Sequence, residues 1–141
     1  MGNRVLKMIL LLITTSICNV FAVSNEDMEQ ATLLTKNFRL DVQNCPTLEE
    51  VADKHLTNVK WDNPGGSDDF YCYAKMMGVQ QNQEVFSVIF RYDIENKRVE
   101  LFSLRIGKKL YIKMEAMQKQ IVKLFAAESE DVRRIMMAIN N

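Results

Sequence analysis

The sequence is poor in the side chains from which catalytic and metal sites are usually built. Its 141 residues include one histidine, three cysteines and one tryptophan, and a single imidazole excludes any site that needs two. His55 shares a helical stripe with Val51 and Ala52, which favours a packed structural histidine over a catalytic base. Because no catalytic or cofactor motif is present, the sequence favours a protein without enzymatic activity, cofactor or bound metal.

The composition excludes several broad classes of protein. The chain has only two prolines and five glycines, and apolar residues make up 48% and charged residues 26% of it. These values are those of an average globular domain. A disordered, collagen-like or supercharged chain is therefore excluded.

No apolar run is long enough to cross a membrane, but the first residues have the pattern of an export signal. Arg4 and Lys7 precede an apolar stretch that begins at Met8. Ala22 provides the small residue that a signal-peptide cleavage site requires. We therefore predict a cleaved signal peptide at residues 1–22.

Export determines the expected organisation and location of the remaining chain. We expect residues 23–141 to form one small domain. This domain is expected in the periplasm of a bacterium or secreted from it, and it would contact the membrane only during export. Cleavage after Ser24, an uncleaved anchor and a lipoprotein attached at Cys18 are the alternatives.

Two cysteines remain after the signal peptide is removed. Cys45 and Cys72 are 27 positions apart, which is not the short spacing of a metal-binding or redox pair. In an oxidising compartment, an even number of cysteines indicates a disulfide. We therefore predict a bond between Cys45 and Cys72, which would stabilise the fold by about 3–4 kcal/mol.

Two helices are predicted before the strands. Ser24 with Asp27, and Thr47 with Glu50, have the spacing of capping boxes. Apolar residues at steps of three or four follow the first box and predict a helix that extends towards Asn44.

The middle of the chain alternates between polar and apolar residues. Three runs rich in aromatic and β-branched residues, and a short fourth run, predict strands at 70–77, 85–92, 98–106 and 110–112. Short connections favour an antiparallel meander, and apolar stripes after it predict two further helices. The sequence thus predicts an α+β fold, with a three- to four-stranded antiparallel meander and helices before and after it packed on one face.

The segment before the first predicted strand is acidic and rich in turn residues. It offers oxygen ligands to calcium from Asp62, Asn63, Asp68 and Asp69. Their spacing matches no EF-hand, so a solvated turn is the simpler interpretation. A small hydrolase that depends on Asp68 and Asp69 is the enzymatic alternative.

Charge is distributed unevenly although 18 basic residues balance 18 acidic ones. Residues 26–69 hold ten acids and four bases, whereas residues 97–123 hold eight bases and two acids. Such polarity guides association with an acidic protein, although a solvated hairpin and helix would look the same. Without the signal peptide there are 16 bases against 18 acids, which does not favour nucleic acid as a partner.

Together these features favour a small exported module that binds an acidic protein, such as an inhibitor, an immunity protein or a host-interaction factor involved in virulence. Strand aromatics that face outward would anchor the partner. The candidate binding residues are Trp61, Tyr71, Tyr73, Arg105, Lys108, Lys109 and Lys113. The alternative is a periplasmic small-molecule or metal-binding protein, whose cleft between sheet and helices is lined by Trp61 with Tyr71 or Tyr73.

Overall fold

The computed structural model describes residues 23–64 and 70–139. The predicted signal peptide at 1–22 lies outside the described residues, and so do Asp68 and Asp69 of the acidic loop. Among the helices that are described, none has the length and apolar character needed to cross a membrane.

Within residues 23–64 and 70–139, five consecutive strands form one antiparallel meander, in which each strand pairs with the next along the chain. They are β1 (Thr57–Asp62), β2 (Tyr71–Val79), β3 (Val85–Asp93), β4 (Arg98–Ile106) and β5 (Lys109–Tyr111). The predicted α+β class and meander are confirmed, but the predicted number of strands is wrong. The strand that was not predicted is β1, which has only two half-buried apolar side chains and a left-handed residue, Asn58, with φ of 54°.

Four helices of the described residues flank the sheet in sequence, two before it and two after it. They are α1 (Asn25–Lys36), α2 (Leu48–His55), α3 (Met114–Ala126) and α4 (Glu130–Ile139). Both predicted capping boxes are present, since the hydroxyls of Ser24 and Thr47 accept the N–H groups of Asp27 and Glu50 at 3.1 and 3.2 Å. Each box satisfies backbone groups that a helix leaves unpaired at its first turn.

The first helix is shorter than predicted because Phe38 leaves the helical path to enter the core. Its ring centroid lies 5.0 Å from that of Phe90 and 6.3 Å from that of Phe125. The carbonyl oxygen of Phe38 also accepts the N–H of Leu48 at 2.8 Å. Packing of an aromatic ring and a hydrogen bond to α2 therefore replace the last predicted turns of helix.

The main core lies between the helices and one face of the sheet, here called the inner face. Its fully buried side chains include Met76, Phe86, Val88, Phe90, Leu104, Ile121 and Phe125. α1 crosses β2, β3 and β4, and α3 contacts β4, whereas α2 contacts β1 and α3. The prediction that every helix packs on the sheet is wrong, because α4 packs mainly on α3 and adds Val132 to the core from there.

The predicted disulfide is also wrong, because Cys45 and Cys72 are both free and buried. Cys45 belongs to the main core, whereas Cys72 lies with Ala31, Ala74 and Tyr92 in a second cluster between α1 and the sheet. The Cys72 thiol is directed at the carbonyl oxygen of Asp27, 3.6 Å away. An even number of cysteines gives no information about which cluster each cysteine joins.

Candidate protein-interaction surface

The other face of the sheet, here called the outer face, carries the side chains that alternate with the core residues. On β2 and β3 these residues, except the buried Asp93, are exposed or half-buried, whereas their neighbours are buried. One row of register partners runs across all five strands and consists of Lys60, Met77, Ser87, Arg105 and Leu110. The next row consists of Asp62, Lys75, Ile89 and Ser103. The helices of the described chain bury the inner face, so this two-row surface is the broad face that they leave uncovered.

A β-bulge in β4 adds Phe102 to the outer face. Ile89 pairs with Ser103 and the next residue, Phe90, pairs with Leu101, so Phe102 is an extra residue in β4. Simple alternation from the buried Leu104 would turn residue 102 inward. Because the bulge shifts that alternation by one residue, Phe102 is turned outward and is 44% exposed.

Phe102 joins an aromatic–arginine cluster, which comprises Tyr71, Tyr73, Arg91, Glu100 and Phe102. The ring centroids of Tyr73 and Phe102 are 5.0 Å apart. The Arg91 guanidinium lies 4.5 Å from the centroid of Tyr71 and 5.9 Å from that of Phe102. Tyrosine, tryptophan and arginine side chains recur among the residues that dominate binding energy at protein interfaces.

The cluster is held in place by hydrogen bonding as well as ring contacts. Arg91 donates a hydrogen bond to Glu100 at 2.8 Å, and this bond raises the pKa of the guanidinium. Glu100 also pairs with Arg98 at 3.1 Å. Arg91 is therefore a fixed cation with one aromatic neighbour on either side, and it loses little side-chain freedom on binding.

Positive charge predominates on the outer face and beside it. The face carries five cations, Lys60, Lys75, Arg91, Arg98 and Arg105, against three carboxylates, Asp62, Asp93 and Glu100. Asp93 is buried and accepts two hydrogen bonds from Asn96 at 2.9 and 2.7 Å, which lower its pKa. The solvent-exposed part of the outer face is thus basic.

Four of the predicted binding residues lie close together at the β4–β5 hairpin. Arg105 precedes the turn, Lys108 lies in it, Lys109 begins β5 and Lys113 is the N-cap of α3. The turn begins with Gly107 at φ 56°, as a two-residue type II′ hairpin requires. We call these four side chains and the intervening residues 106–112 the basic hairpin.

Trp61 does not lie with the two tyrosines. Its register partner is the buried Met76, and its ring packs on the main core with the Lys36 ammonium 5.5 Å above it. Tyr71 and Tyr73 lie on the outer face, on the opposite side of the sheet. A ligand cleft lined by Trp61 and either tyrosine is therefore not formed.

A different cavity, of about 560 Å³, opens at the end of the sheet where β2 meets β3. Its floor includes Leu56, Phe86 and Leu124, and its rim includes Gln80, Gln81, Asn82, Gln120 and Lys123. His55 also lines this cavity. The volume lies within the range of small-molecule sites.

His55 is half-buried and makes a contact with a carboxylate, much as expected of a structural histidine. Its Nε2 lies 2.9 Å from Glu128, which also pairs with Lys54. The hydrogen bond from Lys54, and then that from His55, lower the pKa of Glu128. This contact attaches the end of α2 to the segment between α3 and α4.

Within the described ranges, no group of three or more histidine, cysteine, aspartate or glutamate side chains is placed to hold a metal ion. Comparison of the chain with known protein families, with curated proteins and with solved structures found no match. The surface geometry therefore carries the functional argument.

Arg91, Phe102, Leu110 and Ile112 of the candidate surface were not predicted from the sequence as binding residues. Arg91 interrupts the apolar run from Val88 to Tyr92 in β3. A charged residue in such a run indicates that its side of the strand faces solvent. Phe102 gave no such signal, because its outward direction depends on the bulge.

Proposed function

We propose that the protein is a non-enzymatic binding module that holds an acidic protein on the outer face of its sheet. The observation that carries this proposal is the aromatic–arginine cluster, in which Arg91 lies against Tyr71 and Phe102. The cluster lies on a sheet face that the described helices do not cover. A partner with an acidic surface matches the excess of cations on this face and on the basic hairpin.

The size of the outer face suits a protein partner. Strands about 4.8 Å apart, with about 3.3 Å per residue, give a surface of roughly 20 by 25 Å. This is of the order of the area of about 800 Å² that each partner contributes to a standard interface. Apolar area from Val85, Phe102 and Leu110, which are 45%, 44% and 52% exposed, supplements the charge.

The first 22 residues support a location outside the cytoplasm, since their sequence is that of an export signal. An exported binding module of this size fits an inhibitor, an immunity protein or a secreted host-interaction factor. We propose a bacterial periplasmic or secreted protein of this kind, which meets its partner after export.

Site-specific photo-crosslinking in cells that make the protein tests this function. A benzoylphenylalanine at Val85, on the outer face, should give one discrete adduct that disappears at high salt. The matched control replaces Leu33 on α1, which is 51% exposed against 45% for Val85, and should give no such adduct. Arg105→Glu should reduce the Val85 adduct about tenfold, since a repulsive pair replaces an attractive one.

The partner recovered in the adduct must have an acidic surface. Docking on the outer face would be contradicted if Val85 and Leu33 gave equal amounts of adduct. It would also be contradicted if neither Arg105→Glu nor high salt reduced the Val85 adduct. The absence of any adduct from Val85 would contradict the proposed function itself.

The cavity beside His55 favours a second candidate function, the binding of a small polar ligand. Three glutamine side chains on its rim, Gln80, Gln81 and Gln120, make no hydrogen bond within the described residues. They are therefore available to donate and accept hydrogen bonds above an apolar floor.

On this second proposal, one member of a panel of disaccharides, dipeptides and nucleosides should raise the melting temperature in a concentration-dependent way. At about 100 times the Kd the gain is about 2.7 kcal/mol, or roughly 10 °C for a domain of this size. Gln120→Ala should weaken the effect, whereas Gln118→Ala, outside this cavity, should not. A panel without any such shift would contradict ligand binding.

A further inference from the structure

The free edge of β5 has main-chain groups that no described strand uses. Among the described strands, β5 is the last of the sheet and pairs only with β4. Ile106 and Lys109 flank the two-residue turn, so they form the hydrogen-bonded pair that closes the hairpin. Leu110, which comes next, therefore directs its N–H and C=O groups away from β4.

The side chains on this edge are apolar and exposed. Leu110 is 52% exposed, and Ile112, which has the same parity, is 68% exposed. Leu110 pairs with Arg105 on the outer face, so the edge is continuous with the surface proposed to bind the partner. A strand added here would extend that face by one strand and cover both apolar side chains.

The charges along the edge determine which strand can be added. Residues 101–114 contain no acidic side chain, and the basic hairpin places Lys108, Lys109 and Lys113 around β5. A second copy of β5 would bring lysine against lysine, which disfavours pairing of two copies through this edge. The same lysines attract a strand that carries carboxylates.

Resting on the proposed function, we propose that the acidic partner binds by strand addition, with one of its extended segments pairing to the free edge of β5. The alternation of β5 defines the chemistry of that segment. Apolar side chains lie beside Leu110, on the outer face, and beside Ile112, the residue after β5. Acidic side chains lie beside Lys109 on the other side and close to Lys113 at the start of α3. The recognised segment thus alternates between apolar and acidic residues, and main-chain hydrogen bonds contribute to its affinity.

A synthetic peptide of alternating valine and glutamate, capped at both ends, tests the proposal by nuclear magnetic resonance on the exported chain. Its titration should shift the amide signals of Leu110 and Ile112 and slow the exchange of the Leu110 amide with solvent at least tenfold. The same peptide with N-methylated valines cannot donate these main-chain hydrogen bonds and should bind about tenfold more weakly.

Two variants separate main-chain from side-chain recognition. Leu110→Pro removes an N–H group that faces solvent, which an edge strand tolerates, and should weaken peptide binding about tenfold. Leu110→Ala keeps that N–H group and should weaken binding less than Leu110→Pro. The N-methylated peptide tests the same bonds on the unaltered chain if the proline variant does not fold.

Equal affinity of the two peptides, or peptide binding without protection of the Leu110 amide, would overturn strand addition. If strand addition is overturned but the salt-sensitive crosslink from Val85 is still observed, the proposed function stands and the partner docks by side-chain contacts alone. Loss of that crosslink overturns both.

Discussion

Replacing Phe90 by alanine should lower the free energy of unfolding by about 3–5 kcal/mol. Phe90 is fully buried in the middle strand of the sheet, and its ring centroid lies 5.0 Å from that of Phe38. The substitution removes a whole ring from a core shared by β3, α3 and the segment after α1. Since domains of this size are stable by only about 5–15 kcal/mol, the variant should lose between about a fifth and all of its stability.

The matched control is Phe102→Ala, which removes the same ring from the outer face. Because Phe102 is 44% exposed, this variant should lose no more than about 1.5 kcal/mol, mainly from the contact with Tyr73. Urea unfolding followed by circular dichroism measures both values. Equal losses for the two variants would contradict the assignment of the inner and outer faces.

Cys72 should react with iodoacetamide at least about 100 times more slowly in the folded protein than in the unfolded chain. Burial, with a smaller contribution from the Asp27 carboxylate, raises the pKa of this thiol from 9.0 to about 11. The reactive thiolate is then about 100-fold less abundant at pH 8. Burial also restricts access to the sulfur atom.

The rates are measured by mass spectrometry of quenched samples in buffer and in urea, without reductant. Both Cys45 and Cys72 should be alkylated in urea, because both are free. The unfolded chain is the internal control for intrinsic reactivity. Resistance of both cysteines in urea, together with a mass two units below that of the dithiol, would instead indicate a disulfide between them.

Local patterns in the sequence were sufficient to predict much of the fold. The capping boxes at Ser24 and Thr47 act within four residues, and the alternation of Phe86, Val88 and Phe90 reflects one buried face. Such signals depend on neighbours along the chain. The α+β class and the order of the main strands therefore follow from the sequence.

Features that depend on distant parts of the chain were not predictable in this way. β1 becomes a strand by pairing with β2, since only Val59 and Trp61 face the core. The separation of Cys45 from Cys72 depends on how the segment after α1 and the start of β2 enter different clusters.

The candidate surface likewise combines features that local sequence predicts with features that depend on distant parts of the chain. The basic residues of the hairpin are close in sequence, so their proximity was predictable. The cluster of Tyr71, Tyr73, Arg91 and Phe102 requires the register of three strands and the bulge in β4. Parity along one strand predicts which residues share a face, but it does not predict where an extra residue reverses that parity.

The bulge in β4 also makes the proposed recognition genetically separable from folding. If Phe102 were deleted, Leu101 would be followed directly by Ser103. Both residues could keep their present partners, Phe90 and Ile89, and the ladder would be regular. Loss of a single codon would therefore remove the exposed ring of Phe102 and leave every core side chain of β4 facing inward. Mutation can thus add, exchange or remove the exposed ring on this sheet while the scaffold beneath it stays constant.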